Sequence, residues 1–508
     1  YNMREKVNRY FLDTYYDIDR DSIDLLEGRY LIKSGYRTEY LKLIRYLRNN
    51  DLSSEEHYAY IKSKIDVESF TDFIITQIFV NNRDAGGNVK YWRVQDETSK
   101  WRWILYDTDF GFGLHNPKGY RENALEFFTE ANGPKYPNPP WSTIWLRSLL
   151  KNEDFRNHFI NRFQDHLNTT FRTDRMLKHL YSMVDLYDPE ISRHLKKWNL
   201  SKKRRDLHLA IMERFALRRP DYMYNDLSEY FDLGDLLKVV IAPHDNGDLV
   251  LNQHLDIVEP FEGRYFQKTK IRLQAYPYYG FRFSHWEGLP EHITQHNIVV
   301  SLEKYDSLSI RPVFEPYTHS ITGRVIFNEI NAYSQDIGDW VEIFNTSNEI
   351  VDIGNWIITD LRNEYHLPNM FINPGEYVVV CQDTTLFRKK FGSTDFNIVG
   401  NLPFGINKRK EYIALYDADG ASVDSLSYDI EPIDSSFTLN LLLPHLDNSD
   451  IENWEIRPGL GTPNAENPYV LESRIREKQM MWMRSGSVIG FVFILLFMLL
   501  FHKRLEKL

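Results

Sequence analysis

The feature that most constrains this chain is a change of hydrophobic period near Asp232. Before it, apolar residues recur at helical spacing in Val67, Phe70, Phe73, Ile74, Ile78 and Phe79, and again from Lys202 to Phe231. After it, helical spacing gives way to short alternating runs: Leu237–Ile241, Lys270–Leu273, Phe281–Phe283 and Leu308–Ile310. One core rarely grows beyond about 250–300 residues, so 508 residues that switch period must form several domains. The reading is multidomain: an α+β domain over 1–231, a small all-β module over 232–316, and a β-sandwich over 317–468. The last has turn signals at Asn331, Pro374-Gly375 and Asp417-Ala418-Asp419-Gly420. A charged linker, 469–484, leads to an uncharged apolar run, Ser485–Phe501, and a short tail, 502–508.

That run is long enough for a single transmembrane helix, which needs about 17–25 residues, and nothing after it could cover it as a core helix. The expectation is a single-pass anchor in a lipid bilayer, with the main domains extracytoplasmic and a leader in sequence upstream of Tyr1. A formal charge of −11 argues against nucleic acid as a partner. The one cysteine, Cys381, excludes a disulfide framework and a multi-thiolate zinc site.

The chemistry concentrates after the first apolar helix. Asn81-Asn82-Arg83-Asp84-Ala85-Gly86-Gly87-Asn88 precedes a predicted strand, Lys90–Val94; a second, Trp101–Tyr106, leads into Asp107-Thr108-Asp109-Phe110-Gly111-Phe112-Gly113. A turn through Asp96–Ser99 makes a hairpin in which facing residue numbers sum to about 195, bringing Asp84, Asn88 and Asp107 to one end. If the chain stays extended, Asp107 and Asp109 share a face. Clustered carboxylates need a cation, and oxygen ligands alone favour Mg²⁺ or Mn²⁺. A kinase uses this order: an aspartate by the acceptor hydroxyl, an asparagine on metal, then an aspartate before Phe-Gly on the nucleotide's metal. The glycines allow close turns around the site. His115, Trp101 and Trp103 read as loop or packing residues.

These residues, with Tyr1–Lys6 and Asp19–Gly28, resemble the spore-coat protein CotH kinase family over roughly Tyr1 to Tyr230. The resemblance implies an atypical envelope or secreted protein kinase that uses ATP and Mg²⁺ or Mn²⁺ to phosphorylate serine or threonine of a protein substrate. It implies Asp84 as the catalytic aspartate, Asp107 as the metal aspartate, and Asn88 and Asp109 as supporting metal ligands. Glu5 would lie on a strand facing the nucleotide, in a domain whose upstream lobe begins before Tyr1. The middle module resembles small β repeats of bacterial surface proteins, with Trp286 as core. Asp339–Asn345, Asn355-Trp356 and Gly459–Asn464 are similar to the lamin-tail domain, which implies an immunoglobulin-like fold. Alternation puts Val341 and Ile343 on one face; Asp339 and Glu342 read as a solvated strand edge. The β modules are expected to position the enzyme on a surface partner or the cell wall. The rival reading is a non-catalytic surface scaffold or adhesin with a decayed kinase fold.

Overall fold

The computed structural model describes residues 5–16, 18–96, 99–133, 138–317, 320–332, 337–392, 397–430 and 436–481. The chain forms two compact units, one of residues 1–276 and 283–314, the other of 277–282 and 315–508. The run Ser485–Phe501 lies outside the described residues, among which no helix is long and apolar enough to cross a membrane.

In the first unit, helix α1 (Arg9–Tyr16) precedes strands β1 (Ile23–Glu27) and β2 (Leu31–Ser34), then helices α2 (Thr38–Asn49), α3 (Glu55–Lys64) and α4 (Val67–Phe79). Strands β3 (Lys90–Val94) and β4 (Arg102–Ile104) follow, then α5 (Ala124–Thr129), α6 (Pro140–Leu149), α7 (Glu153–Asn168), α8 (Thr173–Trp198) and α9 (Lys202–Phe231). The strands form one antiparallel sheet in the order β2-β1-β3-β4. Its two faces are both covered, as strand alternation requires. Leu26, Tyr91 and Trp103 join the helical core, whereas Leu25, Trp92 and Ile104 pack with Leu12 of α1. Trp101 and Trp103 are indeed packing residues: Tyr40 stacks on Tyr91 with ring centroids 4.1 Å apart, and Trp101 and Trp103 meet the Tyr91 ring at 6.0 and 6.2 Å. The α4 and α9 boundaries are those that the period predicts.

Most of the β module, residues 232–276 and 283–314, belongs to this same compact unit. Strands Phe281–Glu287, Ser307–Pro316, Leu236–Ile241 and Phe261–Phe266 form one sheet; Asn297–Ser301, Lys270–Pro277, Gly247–Leu251 and Leu255–Asp256 form another. Phe261–Phe266 is an edge strand, which needs a cover for its unpaired backbone groups. Helix α7 supplies it. Gln164 accepts from Phe266 N (2.8 Å), and Asn168 both accepts from Arg264 N (2.8 Å) and donates to Arg264 O (2.9 Å). Buried Asp165 takes the Tyr265 hydroxyl at 2.7 Å. Trp286 is core, 2 % exposed.

The second unit is a two-layer β fold. A six-stranded sheet runs in the order Ile398–Val399, Tyr377–Cys381, Trp340–Asn345, Val325–Ala332, Phe437–Leu441, Trp454–Pro458. It packs on the sheet Glu364–His366, Ile357–Thr359, Lys410–Tyr416, Ser422–Asp429, with Val341 and Ile343 meeting Ile358, Ile413 and Leu415 in the core. Two expectations fail here. Asn331 is no turn residue but lies buried within Val325–Ala332, donating to Phe437 O at 3.3 Å. Asp339 and Glu342 are not a solvated edge: Trp340–Asn345 is an interior strand, and they are 7 % and 0 % exposed.

Candidate active site

Helix α4 delivers the first half of the site. It is buried on most sides, its N-terminus is capped by Asp66 accepting from Ser69 N at 3.0 Å, and its C-terminal carbonyls meet a side chain from far along the chain. Arg219 of α9 is completely buried and donates to Ile78 O (3.0 Å), Phe79 O (2.9 Å), Tyr120 O (3.1 Å) and Glu122 O (2.8 Å). A helix end otherwise leaves such carbonyls unpaired. Burial pushes the guanidinium down to about 10, against the opposing charge of Asp226. Directly after α4, Asn81 turns the chain in the left-handed region at φ 53° and donates to Gly119 O (3.1 Å) and Glu122 Oε2 (2.8 Å). Arg83 pairs with the same Glu122 carboxylate, Nε at 3.0 Å. Two cations and an amide thus hold one strut.

Asn82, fully buried, ties the two acidic segments together. Its Oδ1 accepts from Asp84 N (3.2 Å) and its Nδ2 donates to Asp107 O (3.4 Å), while Gln77 Oε1 holds the amide at 2.8 Å. The chain then makes one helical turn, Asn88 N donating to Asp84 O at 3.1 Å. That turn brings Asn88 Nδ2 within 2.8 Å of Asp84 Oδ2. Asp84 and Asn88 therefore meet through a local i,i+4 turn.

The β3–β4 hairpin supplies the second half. Its facing residues, Lys90 with Ile104 and Tyr91 with Trp103, sum to 194, one less than the predicted register, and β4 ends at Ile104. Glu97 and Thr98 of the predicted turn lie outside the described residues. Asp107 is not extended. It sits at φ 54°, a left-handed conformation that aspartate tolerates better than most residues. Alternation therefore no longer governs Asp109, which is exposed in the following turn. Gly111 runs so close to α4's end that a Cβ would lie 2.8 Å from Val80 O. Phe112 N donates to that carbonyl at 3.0 Å, fixing the Asp107–Gly113 loop against the Asn81–Asn88 loop.

Three further residues of this corner escaped the sequence reading. Lys90, 9 % exposed, donates to Val7 O at 3.0 Å and lies 4.5 Å from the centroid of the Tyr106 ring. Burial lowers its pKa, Glu27 opposes the shift, Lys33 and Lys6 add to it, and Asp107 opposes. The Tyr106 hydroxyl is pushed up by burial and then by the charges of Glu27, Asp107 and Asp84. Lys90 thus lies against the ring of Tyr106, on whose hydroxyl the charges of Glu27, Asp107 and Asp84 act. Glu27 also pairs with Lys33 at 2.6 Å. A lysine in phase with Trp92 on a strand buried on both faces was the available signal. Glu5, by contrast, lies on no strand; it is exposed and accepts from the Tyr15 hydroxyl at 2.9 Å. The strand next to β3 is β1, so the acid that reaches the corner is Glu27.

Among the described residues, no group of three or more His, Cys, Asp or Glu side chains is close enough to hold a metal. The oxygen donors at this corner are the Asp84 and Asp107 carboxylates and the Asn88 amide.

Comparison with known proteins gives two family matches. Residues 16–223 match the model described as CotH kinase protein, a span that excludes Glu5, and residues 318–429 match the Lamin Tail Domain. A search of curated proteins finds no match. Among solved structures, a DUF4876 family protein from Bacteroides thetaiotaomicron is similar at 10% identity, over 39% of this chain and 77% of that one, with a TM-score of 0.14. A likeness at that score carries nothing about fold. The chain carries a CotH kinase protein domain followed by a Lamin Tail Domain.

Proposed function

We propose that the chain transfers the γ-phosphoryl group of ATP to a serine or threonine of a partner protein, using a divalent cation. The kinase-domain match supports phosphotransfer at the coarse level. The observation that carries the finer reading is the Asp84–Asn88 hydrogen bond, tethered through Asn82 to Asp107. Asp84 orients the acceptor hydroxyl and takes its proton. Asn88 gives its amide N–H to Asp84, so its carbonyl oxygen is the atom that would hold Mg²⁺ or Mn²⁺ with Asp107, Asp109 supporting. The donor set fits: magnesium is commonly bound by one or two carboxylates, with phosphate oxygens and water completing the shell. The cation, when bound, neutralises charge on the transferring phosphoryl group. Lys90 adds a second positive charge for the phosphates. We further propose that Ser485–Phe501 anchors the protein with its domains extracytoplasmic, and that the β modules bind a surface partner or the cell wall.

The non-catalytic scaffold reading has one observation in its favour: Phe110, after Asp109, is 38 % exposed, whereas in active kinases the corresponding phenylalanine packs inside. Mutation separates the two. Asp107→Asn should lower protein phosphorylation by at least about 10²–10³-fold, with the thermal melt unchanged. Asp84→Asn should also abolish turnover yet retain more metal–nucleotide binding, measured by calorimetry. Asn88→Ala and Asp109→Asn should be intermediate, and Glu39→Gln, in the first turn of α2 and paired with Lys42, neutral. Wild-type phosphorylation by Asp107→Asn would overturn the assignment.

A further inference from the structure

The distal part of the α8–α9 hairpin, before Ile211 of α9, stands apart from the core that the rest of the unit builds. None of the 26 residues of α8 is buried, and the first buried residue of α9 is Ile211. Its tip has an unusual composition. Residues 191–205, ISRHLKKWNLSKKRR, hold seven basic side chains and no acid, in a chain of net charge −11. The turn that joins the helices is well defined. Asn199 closes α8 in the left-handed region at φ 51°, Leu200 N donates to Leu195 O at 2.9 Å, and Ser201 caps α9 by accepting from Arg204 N at 3.2 Å. The basic last turn of α8 and the basic first turn of α9 are thereby held side by side.

Helix stability explains only half of this pattern. Cations suit the C-terminus of α8, but Lys202, Lys203, Arg204 and Arg205 oppose the dipole at the N-terminus of α9 and repel those of α8. Acids lower on the hairpin relieve some of it: Lys202 pairs with Asp206 at 2.9 Å, Arg193 with Glu190 at 3.3 Å, and Arg205 with Asp188. Apolar side chains are exposed among these charges. Trp198 is 53 %, Leu200 42 % and Leu207 59 % exposed, and a groove of about 770 Å³ opens below between Met183, Tyr187 and Met212.

The charge selects the occupant. A second copy would oppose two like-charged tips, which repulsion disfavours. A nucleic acid would satisfy the cations but leave Trp198, Leu200 and Leu207 in water. A surface that offers phosphates over hydrocarbon satisfies both sets, since lysine and arginine meet anionic headgroups while an indole sits at the acyl boundary. We propose that the tip of the α8–α9 hairpin docks on an anionic phospholipid bilayer, with Trp198 and Leu200 entering the headgroup layer and the flanking basic residues meeting lipid phosphates. This contact is independent of the phosphotransfer reading and of the apolar run at 485–501.

The test needs a readout local to the tip. The full chain carrying Leu200→Cys, labelled with an environment-sensitive fluorophore while Cys381 stays buried, is mixed with nanodiscs of phosphatidylcholine alone or with phosphatidylglycerol added. We expect a blue-shifted, brighter emission only with the anionic lipid, reversed by high salt. Binding of added anionic vesicles should weaken by about tenfold or more when Lys196, Lys197, Lys202 and Lys203 are changed to glutamate. Trp198→Ala, which leaves the charges in place, should reduce the shift and keeps the test valid if the fourfold variant does not fold. Equal emission in both lipids would overturn the proposal. So would a shift that needs only higher protein concentration, which means self-association, or one produced equally by soluble polyglutamate, which means an acidic protein partner.

Discussion

The two compact units treat buried charge in opposite ways. In the first, charges wholly or partly withdrawn from water meet partners of opposite sign or hydrogen bonds: buried Arg219 serves four carbonyls, and Arg162 and His166 both hold half-buried Asp72, Arg162 by two bonds of 2.7 Å. In the second, buried carboxyls meet neutral N–H groups. Glu329 and Glu342 face each other across neighbouring strands, both 0 % exposed. Glu329 accepts from Thr462 N at 3.0 Å, and Glu342 from Asn328 Nδ2 at 2.8 Å and from Asn464 N. Asp424 accepts from Phe327 N and Asn448 Nδ2, each at 2.6 Å. These three acids surround a bulge at Asn328, where the register of the central strands shifts, and two of them fasten the closing segment Thr462–Asn464. Ionised networks position loops in the first unit; in the second, acids whose pKa burial raises close a sandwich.

The largest expected effect tests the first half of that contrast. Arg219→Met keeps bulk but strands the carbonyls at the end of α4 and leaves Asp226, 3.8 Å away, without its cation. Breaking a buried, fully bonded charge typically costs about 3–5 kcal/mol. The first unit's thermal transition should fall accordingly, and phosphorylation should fall further than the melt explains, because the carbonyls at stake immediately precede the Asn81–Asp84 loop. A melt within a degree or two of wild type would show that the clamp is dispensable and that unit 1 does not depend on paired charge.

Arg219 also shows what the sequence could not reveal. The α9 period of Ile211, Phe215, Met223 and Leu227 puts Arg219, and not exposed Arg218, on the buried face, but its partners lie about a hundred residues away or more and no local pattern names them. The elements themselves were legible: α4, α9 and β3 have the bounds that their periods predict, because buried faces impose those periods. Asp84, Asn88 and Asp107 were legible as a set, but the predicted cause was wrong. Asp84 and Asn88 meet through an i,i+4 turn and the Asn82 tether ties them to the Asp107 backbone, while the left-handed φ of Asp107 cancels the alternation that was to align Asp109. Glu342 was misread because local sequence does not say whether a strand lies at the edge or in the middle of a sheet.

The second unit gives the next effect in size, and its sign runs with pH. Burial, partly offset by the bonds from Thr462, raises Glu329 to about 7. Burial likewise raises Asp424 and Glu411 to about 7, and burial with the charge of Glu329 raises Glu342 well above its usual value. A carboxyl raised in the folded state contributes stability that is complete below its unfolded value, near about 4.3, and is lost as pH rises through about 7. A fragment holding the two sheets of the second unit, residues 315–481, should therefore melt higher at pH 5 than at pH 8. Glu329→Gln mimics the protonated acid and keeps an acceptor for Thr462. It should leave the melt at pH 5 nearly unchanged and raise stability at pH 8 by on the order of 2–3 kcal/mol. A pH-independent melt would mean that these acids are ionised and compensated, as in the first unit.

The smallest effect lies on the acid side of the first unit, where the sign reverses. Burial opposes ionisation of Asp72, but hydrogen bonds from Arg162 and His166 outweigh it and hold its pKa well below the usual carboxylate range. A depressed acid contributes stability above its unfolded value, near about 3.9, and loses it as pH falls toward the folded value. Asp226 works against this, because burial raises it to about 6 despite Arg219. The net acid lability of the unit is accordingly modest, and Asp72 itself is 40 % exposed, so solvent screens the pair. Below about pH 4 the helical signal at 222 nm should nonetheless fade before the β-sandwich signal. Asp72→Asn should move that first loss to milder acid only slightly, while lowering stability at neutral pH. If the sandwich instead unfolds first in acid, the opposite treatment of buried charge in the two units does not govern their stability, and the contrast between them fails.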